Sequence, residues 1–308
     1  MSLAPVAPDR LDRVGVAFAV AGTFLFASKS ILAKWVYALG GDATELLTLR
    51  MVYAWPFYAV VLGRSLRTGQ KDVGATRVSA RDAFVATGLG FFGYYLASYL
   101  DLLGLEFVSA QLERLTLFTY PALTSLLAWR FLGESLSWRT AASISLCFAG
   151  VALMYHQETK LPDASEHSVA WGILLVAGAA VSYSAYVVAG KPLMRRLGSS
   201  TFTSLAMIGS GGFVVAHYAA LRDWSGLMEL DGRVHLWSLV LAVGCTVVPS
   251  YLINAAVVRI GASRTSIIGT AGPVLTVSLA IVVLGEPSSV WHFVGMALAI
   301  AGVTVVAR

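Results

Sequence analysis

Five charged residues stand inside long apolar runs: Lys29, Arg50, Asp101, Glu113 and Arg114. A charge in hydrocarbon is expensive, so each should face a bundle interior, a wet cavity or an opposite charge. Counting along each run puts all five in the same half of the membrane, the outer half on the orientation derived below. Together they could form a charge network that lines or gates a pathway. Glu113 and Arg114 also suit a helix start among lipid headgroups, and the same interfacial account covers Arg50. Lys29 is mid-run and needs another reason. Its ammonium could pair with Asp101, with Glu113, or with the carboxylate of a bound solute.

Tyrosines form the second set. Tyr95 and Tyr99 are four apart and share a helix face, with Tyr94 and Ser98 adjoining. Tyr183 and Tyr186 are three apart, as are Tyr251 and Asn254. An interfacial position explains Tyr94, Tyr218 and Tyr251. Tyr99 and Tyr186 fall deeper, where a phenol must find a hydrogen-bond partner. Lys29, Tyr95, Ser98, Tyr99, Tyr183, Tyr186 and Asn254 are therefore the candidate solute-binding residues. An apolar pocket with a few polar groups is what small organic ligands favour.

Enzyme chemistry has no comparable support. The chain contains no His-Glu-x-x-His, no Gly-x-x-x-x-Gly-Lys-Ser and no nucleophile elbow. His156, His167, His217, His235 and His292 lie singly near run ends, so no metal site and no cofactor are expected. Cys147 and Cys245 sit in apolar runs and read as packing residues rather than a disulfide.

These residues must be positioned by membrane helices. Charged residues make up 13% of the chain and hydrophobic residues 57%, with a mean hydropathy of +0.74. Soluble domains carry about a quarter charged residues. The composition is that of a polytopic, all-helical membrane protein, so the net charge of +5 is a topology signal rather than a nucleic-acid footprint. A span needs roughly 20 mostly apolar residues, which divides the chain into ten: 14–39, 44–63, 82–103, 108–131, 138–156, 169–190, 200–221, 234–258, 263–284 and 290–307. The N-terminal stretch, with Pro5 and Pro8, lacks a signal-cleavage pattern, so the first run should be retained. With both termini cytoplasmic, the inner ends hold Arg10, Arg13, Arg64, Arg67, Lys71, Arg77, Arg81, Arg130, Arg139, Lys191, Arg195, Arg196, Arg259, Arg264 and Arg308. The outer ends hold Lys34, Lys160, Arg222 and Arg233. That asymmetry is the positive-inside pattern.

The chain also repeats. Tyr120-Pro-Ala-Leu-Thr through Leu-Gly-Glu134 has the frame of Gly272-Pro-Val-Leu-Thr through Leu-Gly-Glu286, at an offset of 152. The offset also carries Ser98-Tyr99-Leu100 onto Ser250-Tyr251-Leu252. At 157, Gly15 and Lys34 map onto Gly172 and Lys191. Ten spans in two repeats give five per half. An odd number inverts the second half, and inverted repeats suit alternating access about a central site. The expected layout is a cytoplasmic segment 1–13, a five-helix repeat 14–156, an external linker 157–168 and a second repeat 169–308. Pro121, Gly272 and Pro273 interrupt helices at matching places and are candidate hinges, with a packing kink as the competing account. The five charges map onto Tyr186, Met207, Ile253, Thr265 and Ser266, so the charge is not repeated.

The doubled Pro-x-Leu-Thr…Leu-Gly-Glu signature in a ten-span chain resembles the drug/metabolite transporter superfamily, in particular its EamA-type members. Tyr183, Tyr186, Lys191 and Asn254 make the chain look most similar to YddG-type exporters of aromatic amino acids. The resemblance covers about 14–307. It implies a bacterial inner-membrane exporter of small organic metabolites, with amino acids, aromatic or other neutral, as the expected solutes. Multidrug or nucleoside-type export stays open beside them. It also implies that helices one, three, four, six, eight and nine line the cavity. The implied partners are the solute and the lipid bilayer, without nucleic acid.

Overall fold

The computed structural model describes residues 12–68, 78–133, 135, 138–161 and 165–307. Lys71, Arg77 and Glu134, and most of the N-terminal segment, lie outside the described residues. Among those described, all regular structure is helical. Seven helices are long and apolar enough to cross a membrane by length and composition: Arg13–Ala38, Ala43–Leu66, Ala80–Leu105, Glu166–Leu197, Ser199–Leu221, Gly232–Ile260 and Ile267–Leu284. The other three expected runs take different forms. Residues 108–131 are divided into Ala110–Leu117 and Tyr120–Leu132, 138–156 lies in Trp138–Glu158, and the last is a shorter apolar helix, Val290–Val305.

Local backbone features recur at the 152-residue offset. The Ala110–Leu117 helix stops and Tyr120–Leu132 starts afresh; Ala262–Gly269 stops and Gly272–Leu279 starts afresh. The residues that open the second piece, Thr119 and Ala271, have the same backbone angles, φ −72° and ψ −13°. Pro121 and Pro273 lie in the first turn of the new piece, where the missing N–H has no intrahelical partner to lose. The prolines thus restart helices rather than kink continuous ones. Gly133 and Gly285 end these segments at φ +68° and +67°, the left-handed conformation that glycine adopts without penalty. A π-helical turn at Phe91–Leu96 has a counterpart at Val243–Val247.

Helices approach closely through small residues. Trp138–Glu158 packs along Val290–Ala307. A Cβ on Gly150 would lie 2.5 Å from the Gly295 carbonyl oxygen, and one on Gly302 would lie 2.8 Å from that of Ser143. Between these contacts, Cys147 Sγ donates to the Ala299 carbonyl at 3.7 Å. As numbers rise from 143 to 150 on one helix, partners fall from 302 to 295 on the other, so the two run antiparallel. Arg13–Ala27 packs on Val248–Ile260 in the same sense: Gly15 meets Arg259 and Ile260, while Gly22 meets Leu252 and Ile253. At the entry to that pair, Asp12 caps the first helix and binds Arg259 at 3.1 Å. The Gly15 N–H and the guanidinium hold its carboxyl below the usual range.

Candidate functional site

The first helix breaks at Ser28, and Lys29 opens its second piece. Thr276, the threonine of the second Pro-x-Leu-Thr, donates to the Ala27 carbonyl at 2.9 Å. A backbone group at the break is thereby served by a neighbouring helix, as a break inside a membrane requires. Lys29 Nζ reaches Asp101 on the third helix and lies 3.3 Å from Glu113 Oε1 on the Ala110–Leu117 helix. Ser30 Oγ donates to the other Glu113 oxygen at 2.6 Å. Both carboxylates therefore gather at the first turn of Lys29–Ala38, where the helix dipole also favours negative charge. Asp101 is 5% exposed and Glu113 0%, so both carboxylates are buried in this conformation, while the Lys29 side chain keeps 13% exposure.

Arg50 is buried, at 5% exposure. It makes no ion pair or hydrogen bond among the described residues, and its Nε has no partner. Arg114 Nε is likewise unpartnered. Its guanidinium lies against Gly272 at the second helix break, 3.3 Å from where a Cβ on that glycine would stand.

The tyrosines divide into two groups. Tyr186 stacks on Phe202 and meets Tyr94 at a centroid distance of 5.1 Å, with their hydroxyls 3.4 Å apart. Tyr183 lies beside Tyr186 and meets Tyr120 edge-on at 5.2 Å. This group joins the π-helical turn, the Glu166–Leu197 helix and the first helix break. Ser184 Oγ donates to the Tyr120 carbonyl at 3.0 Å, and Ser182 Oγ to that of Phe92 at 2.7 Å. Tyr95 and Tyr99 instead stack with each other at 6.4 Å and face His217, with Phe213 also beside Tyr95, on the Ser199–Leu221 helix. Ser98 and Asn254 are partly exposed and make no hydrogen bond among the described residues. Tyr94, Tyr120 and Tyr58 were not singled out as site residues from sequence. Tyr94, read there as interfacial, adjoined the Tyr95–Tyr99 pair, and that adjacency was its one signal.

Where Lys29, Asp101 and Glu113 meet, the chemistry available is ion pairing and hydrogen bonding. Among the described residues no group of three His, Cys, Asp or Glu could hold a metal ion. Both cysteines are free and buried.

A model of the EamA-like transporter family matches residues 13–156 and, a second time, residues 170–308. The chain belongs to the EamA-like transporter family. The Bacillus subtilis (strain 168) uncharacterized transporter YcbK is 28% identical over 291 residues, spanning 91% of this chain and 88% of that protein. YetK of the same organism is also named an uncharacterized transporter and is 28% identical over 239 residues, spanning 76% of this chain and 71% of that one. An uncharacterized transporter of Archaeoglobus fulgidus is 25% identical over 266 residues, spanning 85% and 88%. A crystal structure of a protein superposes with a TM-score of 0.63 at 17% identity, covering 95% of both chains, which is a likeness of fold. With its apolar helices, this family membership makes the chain a multi-pass membrane transporter.

One glutamate of the family signature has a visible job. The Glu286 carboxylate accepts from the Ala110 N–H at 2.8 Å and the Gln111 N–H at 3.3 Å, capping the Ala110–Leu117 helix from the other half of the chain. Glu158 accepts from the Ser109 N–H at 2.5 Å and the Ser109 hydroxyl at 2.6 Å. Nearby, Glu106 accepts from the Ala43 N–H at 2.6 Å, and burial pushes its carboxyl up.

Proposed function

We propose that the chain exports amino acids, aromatic or other neutral, across the bacterial inner membrane by alternating access. On this reading ten spans form two inverted five-helix halves, 14–156 and 169–308, joined by an external linker, with both termini cytoplasmic. The repeated family match, the paired helix breaks and the antiparallel packing of Trp138–Glu158 against Val290–Ala307 support two inverted halves. The distribution of lysine and arginine supports the orientation. Pro121, Gly272 and Pro273 serve as hinges about which the halves exchange conformations.

The carrying observation is the largely buried cluster of Lys29, Asp101 and Glu113 at a helix break. Charges are retained inside a membrane bundle for function or for a partner's charge, and a break at that depth is tolerated where backbone is buried in protein or lines a pathway. The Tyr94, Tyr120, Tyr183 and Tyr186 group offers flat apolar surface with hydroxyl tips for a solute side chain. The same surface suits a nucleobase, so nucleosides belong in the test.

The test is counterflow in proteoliposomes: vesicles loaded with unlabelled amino acid are followed for uptake of labelled phenylalanine, tyrosine, leucine and threonine, and vesicles loaded with nucleoside for uptake of labelled nucleoside, each with the other class as competitor. Saturable exchange of at least one amino acid is expected. Exchange of nucleosides that no amino acid inhibits would replace the amino-acid reading, and no exchange of either would remove it.

A further inference from the structure

Two buried carboxylates share one ammonium. Lys29 Nζ binds Asp101 Oδ2 and lies 3.3 Å from Glu113 Oε1, so the two acids are neighbours on a single nitrogen. Like charges held this close and out of water resist ionising together. The ammonium neutralises one carboxylate, and a proton on the other makes the cluster neutral. Hydrogen bonding decides which acid takes it. Glu113 has a donor at each oxygen, Lys29 at one and Ser30 at the other, 2.6 Å away. Asp101 has Lys29 at one oxygen, and its Oδ1 is buried without a partner. A buried oxygen without a donor costs more on an anion than on a neutral acid. The negative charge therefore belongs on Glu113 and the proton on Asp101, with the Glu113 carboxylate beside it as acceptor.

The helices packed against the pair carry other ionisable groups. Tyr37 donates to the Leu102 carbonyl at 2.8 Å, Glu158 is occupied by Ser109, and Tyr186 meets Tyr94. Lys34, Arg50 and Arg114 make no ion pair or hydrogen bond with either carboxylate among the described residues, and Gly272–Leu279 brings no ionisable side chain. Lys29 is thus the one cation bound to the pair among those residues.

We propose that Asp101, held with Glu113 on Lys29, is the proton-binding site that couples solute export to a proton gradient. With the proton, the cluster is neutral and suits the buried state of this structure. Without it, the cluster carries net negative charge and suits a wetted state. Proton binding therefore favours closure around the cluster, and proton release favours reopening. Each proton is taken from water at one face and returned to water at the other, one for each solute moved the opposite way. The proposal rests on the export reading above, but not on which solute is carried.

The test is uptake of labelled phenylalanine, tyrosine, leucine, threonine and uridine into proteoliposomes with an acidic lumen, the membrane potential being clamped with potassium and valinomycin. An antiporter accumulates its solute in the acidic compartment whichever way round it inserts. At a gradient of about one pH unit and one proton per neutral solute the limit is about tenfold, and wild type should pass about threefold and lose it to a protonophore. Asp101→Asn should abolish that accumulation. The site is read separately, in purified full-length protein at neutral pH, from the infrared C=O stretch of protonated carboxyl groups. Asp101→Asn and Glu113→Gln should each diminish this signal, because Lys29 neutralises the one carboxylate that remains. Asparagine imitates the neutral acid, Glu113→Gln gives the same readout independently, and the wild-type accumulation needs no variant. Counterflow without gradient-driven accumulation would overturn the proposal and leave export standing. A carboxyl signal undiminished in both variants would overturn it by placing the proton elsewhere. No exchange of any of these solutes would remove the export reading and the coupling with it.

Discussion

Lys29 holds two carboxylates, and that ratio governs what happens when it is removed. Asp101 and Glu113 both bear on the one ammonium, with Arg50 and Arg114 as the other buried or half-buried cations. Lys29→Met keeps the volume and strands both carboxylates, one of them 0% exposed. Removing one partner of a buried pair typically costs about 3–5 kcal/mol. Lys29→Met should therefore lower stability on that scale, read as a fall in melting temperature in detergent. Adding Asp101→Asn should recover part of the loss, and adding Glu113→Gln as well should recover more, because Ser30 can still bond the neutral amide. A fully stable Lys29→Met would show that the cluster is wetted and that the ammonium neutralises nothing. Lys29 as an intramembrane charge, and Asp101 and Glu113 as its candidate partners, were legible in the sequence because a charge in an apolar run needs a reason. Arg50 was not: near a run end, a buried arginine and a headgroup arginine have the same local sequence.

At the scale of elements, the interruptions carry the argument. Pro121 and Pro273 occupy the first turns of restarted helices, so neither removes a hydrogen bond that the fold uses. Replacing either by alanine should change stability by less than about 1 kcal/mol, while allowing the two pieces to merge into one helix. If the breaks are hinges, Pro121→Ala and Pro273→Ala should slow exchange more than they weaken binding. Unchanged exchange in both would reduce the breaks to packing features. Gly93 is a different case. A Cβ there would lie 2.4 Å from Tyr186 Cγ, beside a ring that is 2% exposed. Gly93→Ala should cost about 1–3 kcal/mol as overpacking, and Gly93→Ala with Tyr186→Leu should recover much of it in the same melting assay. The breaks were foreshadowed by proline and glycine at repeated positions. The π-helical turn at Phe91–Leu96 has no such mark, because an i→i+5 pattern has no residue signature. Tyr94, rather than Tyr95, meets Tyr186 at that turn. Glu286 was visible as a repeated residue, but its partners at Ala110 and Gln111 are over 170 positions away, beyond what local pattern can reach.

For the whole molecule, the consequential question is which way the two halves run. Cys147 touches Ala299, its own counterpart at the 152-residue offset. Gly150 meets Gly295, and Gly302 meets Ser143; these two contacts exchange when each residue is replaced by its counterpart. Such self-complementary pairing is what a two-fold relation between the proposed halves would produce, with its axis perpendicular to the two antiparallel helices. On the proposed arrangement, an axis so placed turns one half over relative to the other, as five spans per half would require. Orientation in the membrane then follows from charge: Arg64, Arg195 and Arg259 should be cytoplasmic, and Lys160, Arg222 and Arg233 external. Single cysteines at 64, 160, 195 and 233, introduced after replacing Cys147 and Cys245 by alanine, can be tested in intact cells with a membrane-impermeant maleimide. Positions 160 and 233 should label from outside, and 64 and 195 only after permeabilisation. Labelling of 160 and 195 from the same side would break the inverted arrangement, because the Glu166–Leu197 helix lies between them. Labelling of all four with sides exchanged would preserve the inversion and reverse only the orientation. The experiment therefore separates the symmetry of the fold from its direction in the membrane.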